Sequence, residues 1–201
     1  MYVPRHFSNN DPELLERFID AVGVATLVTA GPGGLMANGV PLLRQPGANR
    51  LWGHLARPNP QLAELAAVDE VLLVFNGPHG YVSPNWYQDP QLVPTWNFAT
   101  VQVRGRVVVH DDIEVVRDIV RRLTDKHEAG FATPWTDAKM DPDRFEKMLS
   151  VIVGFHVEMD EVQGKFKLSQ NRNADDRAGV IEGLEQTGNT DLAALMRRWE
   201  E

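Results

Sequence analysis

Strand-like segments follow one another along this chain without the regular strand–helix–strand alternation that a parallel sheet needs. Ala25–Thr29 and Leu35–Leu43 flank Gly31-Pro32-Gly33-Gly34, which reads as a hairpin connection. Leu51–Leu55 is a short strand ended by Pro58-Asn59-Pro60, and Val71–Phe75 is a continuous apolar run, expected to be a strand buried on both faces. Thr95–His110 is long, and Val101, Val103, Arg104 and Arg106 to Val109 alternate as in a strand bent at Gly105. Val151–Val157 and Val162–Leu168 read as a final strand pair.

Helical patterns occupy the ends and the gaps. Asn10 or Asp11 caps a first helix, Pro12 suits its first position, Leu14, Leu15, Phe18 and Ile19 share a stripe, and Gly23 stops it. Gln61–Ala67 is a short helix, Asp112 caps one reaching His127, and Asp141-Pro142 starts another through Leu149. Two tail helices are expected around Asp175–Gln186 and Asp191–Trp199. About six strands with helices at both ends predict a mainly β, α+β chain, an antiparallel barrel with helical decoration, in one domain spanning residues 1–201.

Composition sets limits on chemistry. With 43% hydrophobic and 24% charged residues, the chain can build a sizeable core. It has no cysteine, which removes disulfides, thiolate catalysis and cysteine-ligated zinc. A net charge of −8 disfavours contact with a phosphate backbone. The opening MYVPRHFSNNDPELLERF does not read as a secretory signal, and no apolar run has a membrane-spanning length, so the cytoplasm is the expected location.

The motifs separate into weak and informative ones. Gly31–Gly34 lacks the lysine and hydroxyl of a phosphate loop, and Ser83 has no Gly-x-Ser-x-Gly setting. None of the six histidines is paired at metal-binding helical spacing, and His127-Glu128 is half of a zinc-protease pattern, so no metal site is expected. In Gly53–Gln61, a strand end presents His54 and Ala56, then Arg57, Asn59 and Gln61 arrive as the chain turns into a helix. These residues could cradle a phosphate, or they could be an exposed arginine beside a Pro-rich turn. Asn76–Asn97 gathers His79, Tyr81, Ser83, Asn85, Trp86, Tyr87, Thr95, Trp96 and Asn97, suited either to stacking on a flat ring or to packing a loop on a barrel. Lys167–Arg172 could reach a ligand or partner, or could be a solvated strand-to-helix loop.

Together MYVPRHF, GHLARPNPQ (53–61), GPHGYVSPNWY (77–87), VPTWNF (93–98), the His127-Glu128 pair and FKLSQNR (166–172) resemble the PaiB-like family of FMN-binding negative transcriptional regulators. That resemblance implies a split β-barrel of the pyridoxamine-phosphate-oxidase-like type. It also implies a homodimer with FMN in grooves shared by two subunits. The cofactor-contacting positions it implies are Asn38, His54, Ala56, Arg57, Asn59, Gln61, Tyr81, Trp86, Trp96, Asn97, Lys167, Gln170, Asn171 and Arg172, with catalytic residues unassigned. One departure stands out: Gly39 occupies a position where the family usually has histidine.

The family name attributes repression, yet no helix-turn-helix is evident, and the tail helices carry Asp175, Asp176, Glu182 and Glu185. Arg117, Arg121, Arg122 and Lys126 are the one local basic cluster, interleaved with Asp118 and Asp125, which predicts a salt-bridged solvent face. The expected function is a flavin-binding regulator that senses flavin or redox state without contacting DNA directly. The alternatives are an FMN-dependent oxidoreductase acting on a small molecule, or a haem-binding or haem-degrading protein using His79 or His127.

Overall fold

The computed structural model describes residues 1–89 and 91–198. In chain order the strands and α-helices are β1 (Ser8–Asn9), α1 (Pro12–Val22), β2 (Val24–Gly31), β3 (Gly34–Pro41), β4 (Leu43–Arg44), β5 (Arg50–Ala56), α2 (Gln61–Ala67), β6 (Glu70–Val82), β7 (Thr95–His110), α3 (Ile113–Glu128), α4 (Pro142–Leu149), β8 (Ile152–Glu158), β9 (Glu161–Lys167), α5 (Ala174–Gln186) and α6 (Thr190–Arg198). The sheet runs β3-β2-β6-β7-β8-β5-β4, with β9 on β7 and β1 on β9. It begins and ends on different strands, so it is an open antiparallel sheet.

Local chemistry explains most boundaries. Asp11 accepts from the Glu13 amide at 3.0 Å and Pro12 opens α1, while Gly23 at φ +68° ends it by donating to the Ile19 carbonyl. Asp112, Asp141 and Asn173 each accept an amide of the first turn of the helix that follows them.

The described residues form two compact units. The first comprises Met1–Phe18, Asn76–Gln102 and the described residues from Gln163 on. Its interior includes Leu15, Val82, Val101, Phe166, Leu168, Leu184, Leu192 and Met196, and Phe18 meets Phe166 edge-on at 5.2 Å. The second comprises Ile19–Phe75 and Val103–Val162. It buries Leu27, Leu51, Leu65, Leu73, Phe75, Phe155 and Val157, and Val116 of α3 clusters with Phe145 and Leu149 of α4. Strands β6 and β7 each run through both units.

Several expectations need correction. Nine strands are described instead of about six, two of them only two residues long, because Pro41 ends β3 before Leu43 begins β4. The apolar run at Val71–Phe75 is the start of a 13-residue strand that continues through Asn76–Val82. Val71, Leu73 and Phe75 are buried while Leu72 and Val74 are only half-buried, as expected for an antiparallel strand covered more fully on one face. Strands β8 and β9 do not pair with each other. Both pair with β7, which is long enough to serve one after the other. The last helix was expected to reach Trp199; α6 is described to Arg198, and Trp199 lies outside the described residues.

Candidate functional site

In the second unit, α2 faces the β2–β3 hairpin and pins it with two side chains. Gln61 is fully buried, and its amide nitrogen donates to the Leu27 carbonyl at 2.9 Å and, at longer range, to Thr29 Oγ1 and the Met36 carbonyl. Its Oε1 accepts from Asn38 Nδ2 at 2.8 Å. One turn on, Glu64 accepts from the Gly33 amide at 3.0 Å, and a Cβ at Gly31 or Gly33 would lie within 2.4 Å of that carboxylate. The glycines are therefore seats for Glu64, which accounts for the hairpin's composition without any phosphate.

Asn38 pairs across the sheet with buried Leu27, so it lies on the core-facing side of edge strand β3, yet it is exposed. Gly39 pairs with Thr26 and points to the other side, where an added Cβ would meet only Val24 Cγ1, at 3.9 Å.

The remaining candidates of this unit cluster at the end of β5. Arg57 donates to the Ser150 carbonyl at 3.1 Å and forks onto Asp111, at 2.5 and 3.3 Å. Both side chains are largely exposed, and the arginine holds the Asp111 carboxyl below its usual range. Asn59 Oδ1 accepts from the Gln61 amide and so caps α2, while Ala56 is exposed. His54 is half-buried, its Nδ1 is sealed from solvent without a protein partner, and burial pushes its pKa down.

In the first unit, Trp96 and Tyr81 present exposed rings, 54% and 48% accessible, packed edge-to-face at 6.1 Å. Lys167 donates to Thr95 Oγ1 and the Trp96 carbonyl, and burial first, then the nearby Lys165 and Arg172, lowers its pKa. Arg172 lies over the Tyr87 ring at 5.2 Å, and Asn171 is exposed. Trp86 is half-buried against α5, where Gly183 leaves room for its indole. Asn97 and Gln170 are committed to the scaffold. Asn97 is buried and donates to Ser169 Oγ at 2.9 Å, while Gln170 bonds the Leu168 amide and the Phe166 carbonyl around the left-handed Ser169.

The sequence reading missed Lys165, Ser169 and Asp111. Lys165 had a signal, because it shares one face of β9 with Lys167. Ser169 lies inside the Lys167–Arg172 segment, but its partner Asn97 is 72 residues away, and Asp111 had no signal, since its partner Arg57 is 54 residues away. Among the described residues no His, Asp or Glu group could hold a metal ion, and no helix is long and apolar enough to cross a membrane.

Residues 1–161 match the family described as "Putative FMN-binding domain". The chain belongs to this family. Its cofactor is FMN. This FMN-binding chain is 32% identical to the Protease synthase and sporulation protein PAI 2 of Bacillus subtilis, over all of this chain and 97% of that protein. It is 34% identical to an uncharacterized Aspergillus fumigatus protein, over 69% of this chain and 67% of that one. Among solved structures, it is similar to the flavocytochrome Anf3 of Azotobacter vinelandii (TM-score 0.63, 16% identity, 88% of this chain and 78% of that one). It is also similar to the FAD and heme binding protein of Mycobacterium smegmatis (TM-score 0.62, 17% identity, 86% and 78%). These likenesses establish the split-barrel fold. The residues present fit a flavin in kind: an unpartnered buried nitrogen on His54, an exposed amide on the core side of β3, exposed aromatic rings and nearby cations.

Proposed function

We propose that this chain is a homodimeric, FMN-binding regulatory protein of the PaiB type whose signal is the state of its flavin. The full-length similarity to the Bacillus subtilis sporulation protein carries this reading. The paired state of the α3 cations supports a signal that does not pass through DNA contact. Arg117 bonds Glu114 and Glu146, Arg121 bonds Asp137, Arg122 bonds Asp118, and Lys126 bonds Asp20. When bound, FMN supplies electron acceptance and donation.

The chain's own residues bind and orient it. Trp96 and Tyr81 offer faces on which a flat ring stacks, and Lys167, Lys165 and Arg172 offer positive charge. Arg57 is the phosphate ligand in this reading. Its pair with Asp111 is solvent-exposed and therefore weak, so a phosphate able to take both guanidinium N–H groups displaces it. In a homodimer the two sets of residues need not be drawn from one chain.

The test is a titration of Arg57→Ala with FMN and with riboflavin, which has no phosphate. FMN affinity should fall roughly tenfold to a hundredfold, with riboflavin nearly unaffected. Equal losses would assign Arg57 to the scaffold. Steady oxidation of a nicotinamide cofactor by the FMN-loaded protein with a small-molecule acceptor would favour an oxidoreductase instead.

A further inference from the structure

We propose that buried Gln61 is a positioning residue which fixes the orientation of the Asn38 amide, its carbonyl turned outward to take a ring N–H of the flavin. The proposal rests on the flavin reading above and adds the polarity of one contact. The polarity follows from the hydrogen-bond network. The Gln61 side-chain nitrogen faces two backbone carbonyls, Leu27 at 2.9 Å and Met36 at 3.4 Å, and carbonyls only accept. The amide of Gln61 is therefore fixed in one orientation, and its Oε1 must face Asn38. That oxygen needs a donor, so the Asn38 NH₂ turns inward, at 2.8 Å. What Asn38 then turns outward is its Oδ1, an acceptor, since its Nδ2 is held by Gln61 through one of its two N–H groups.

Gln61 has no freedom to reverse. Flipping it would set its oxygen against two carbonyl oxygens in a fully buried site, leaving them without their donor. The side-chain geometry thus runs from the backbone of the hairpin, through a sealed glutamine, to an exposed amide on the core side of an edge strand. An acceptor of this kind selects among flavin edges. The oxidised ring carries a single N–H, at N3, flanked by two carbonyls that an acceptor repels. The reduced ring carries a further N–H at N5. Asn38 accordingly contacts N3–H, or favours the reduced ring through N5–H.

The experiment uses wild type, Asn38→Leu and Gln61→Met, with FMN and 3-methyl-FMN as probes, and measures the reduction potential of bound FMN. In wild type either 3-methyl-FMN binds about three- to tenfold more weakly than FMN, or the potential falls on Asn38→Leu, according to the edge contacted. Gln61→Met should erase most of the same effect while leaving the ratio of FMN to riboflavin affinity unchanged. A merely structural glutamine would weaken all three flavins alike. If Asn38→Leu binds FMN with the discrimination and the potential of wild type, the proposal is overturned and the flavin reading stands.

The flavin-free protein tests the internal half separately. Exchange of the Asn38 side-chain NH₂ protons should be slowed in wild type and fast in Gln61→Met, and equal rates in both overturn it. Should Gln61→Met fail to fold, Asn38→Leu on the exposed side still decides the contact. Wild type that binds no flavin, with Asn38 protons still protected, would sink the flavin reading and the contact with it while leaving the Gln61–Asn38 bond established.

Discussion

Two histidines from different strands meet on one face of the second unit's sheet. His110 Nε2 lies 2.7 Å from His156 Nδ1, the two rings stack on each other, and Trp52 stacks on His110 and lies tilted to His156. The groups facing them are Arg50, Glu158 and Asp112. Glu158 lies 3.4 Å from His156 Nε2 and accepts a hydrogen bond from its N–H, so His156 Nδ1 is the acceptor and His110 Nε2–H the donor. That arrangement requires His156 to be neutral, since a proton on its Nδ1 would set two N–H groups head to head. Burial, then Arg50, lowers the pKa of His110; burial, then His110 and Arg50, lowers that of His156. In the unfolded chain both titrate near their ordinary value of 6.5. Below it the unfolded state binds more protons than the native one, so the pair's stabilisation is complete above 6.5 and is lost as pH falls through the lowered native values. Urea midpoints measured across pH 5 to about 7.5 should therefore decline on the acid side, and His156→Gln should flatten that decline.

At the scale of the element, caps and turns decide where helices begin, and they are legible because they are local. Asn173 shows how such a cap is coupled to tertiary structure. Its Oδ1 accepts from the Asp176 amide at 2.8 Å and its Nδ2 donates to Asp176 Oδ2 at 3.0 Å, while Asp176 Oδ1 accepts from the Gln88 amide. Asn173→Ala should destabilise by about 1 kcal/mol, seen as a lower urea midpoint at unchanged slope, and Asn173→Ser should recover most of the loss. The spans of α2 and α4 and of β7 were readable from periodicity, capping residues and proline. Gly105 lies within β7 where a Cβ would come 1.6 Å from the Glu158 carbonyl oxygen, a close approach that only glycine allows. Pairing was not readable in the same way. Two strands separated by a short turn usually form a hairpin, whereas β8 and β9 are each held by a third strand.

For the whole molecule, the consequence concerns assembly and nucleic acid. A homodimer of this chain would carry a formal charge near −16, twice the −8 of one chain. Each of the four α3 cations is held by at least one carboxylate. Gel-shift titration against genomic fragments at about 150 mM salt should show no sequence-selective retardation in the nanomolar range, while sedimentation shows a dimer. Selective retardation abolished by Arg121→Glu with Arg122→Glu would establish direct repression instead.

The chain by itself determined the kinds and order of its longer elements, the absence of thiol chemistry and the family, because periodicity, capping and motif each reside within a few neighbouring residues. Only the tertiary structure decided which polar residues of Gly53–Gln61 turn outward, with Arg57 exposed and Gln61 sealed beneath the hairpin. It also decided that Lys126 finds Asp20 and that His110 finds His156, across separations of 106 and 46 residues. Those outcomes depend on strand register and on the approach of elements distant in sequence, which no short segment encodes.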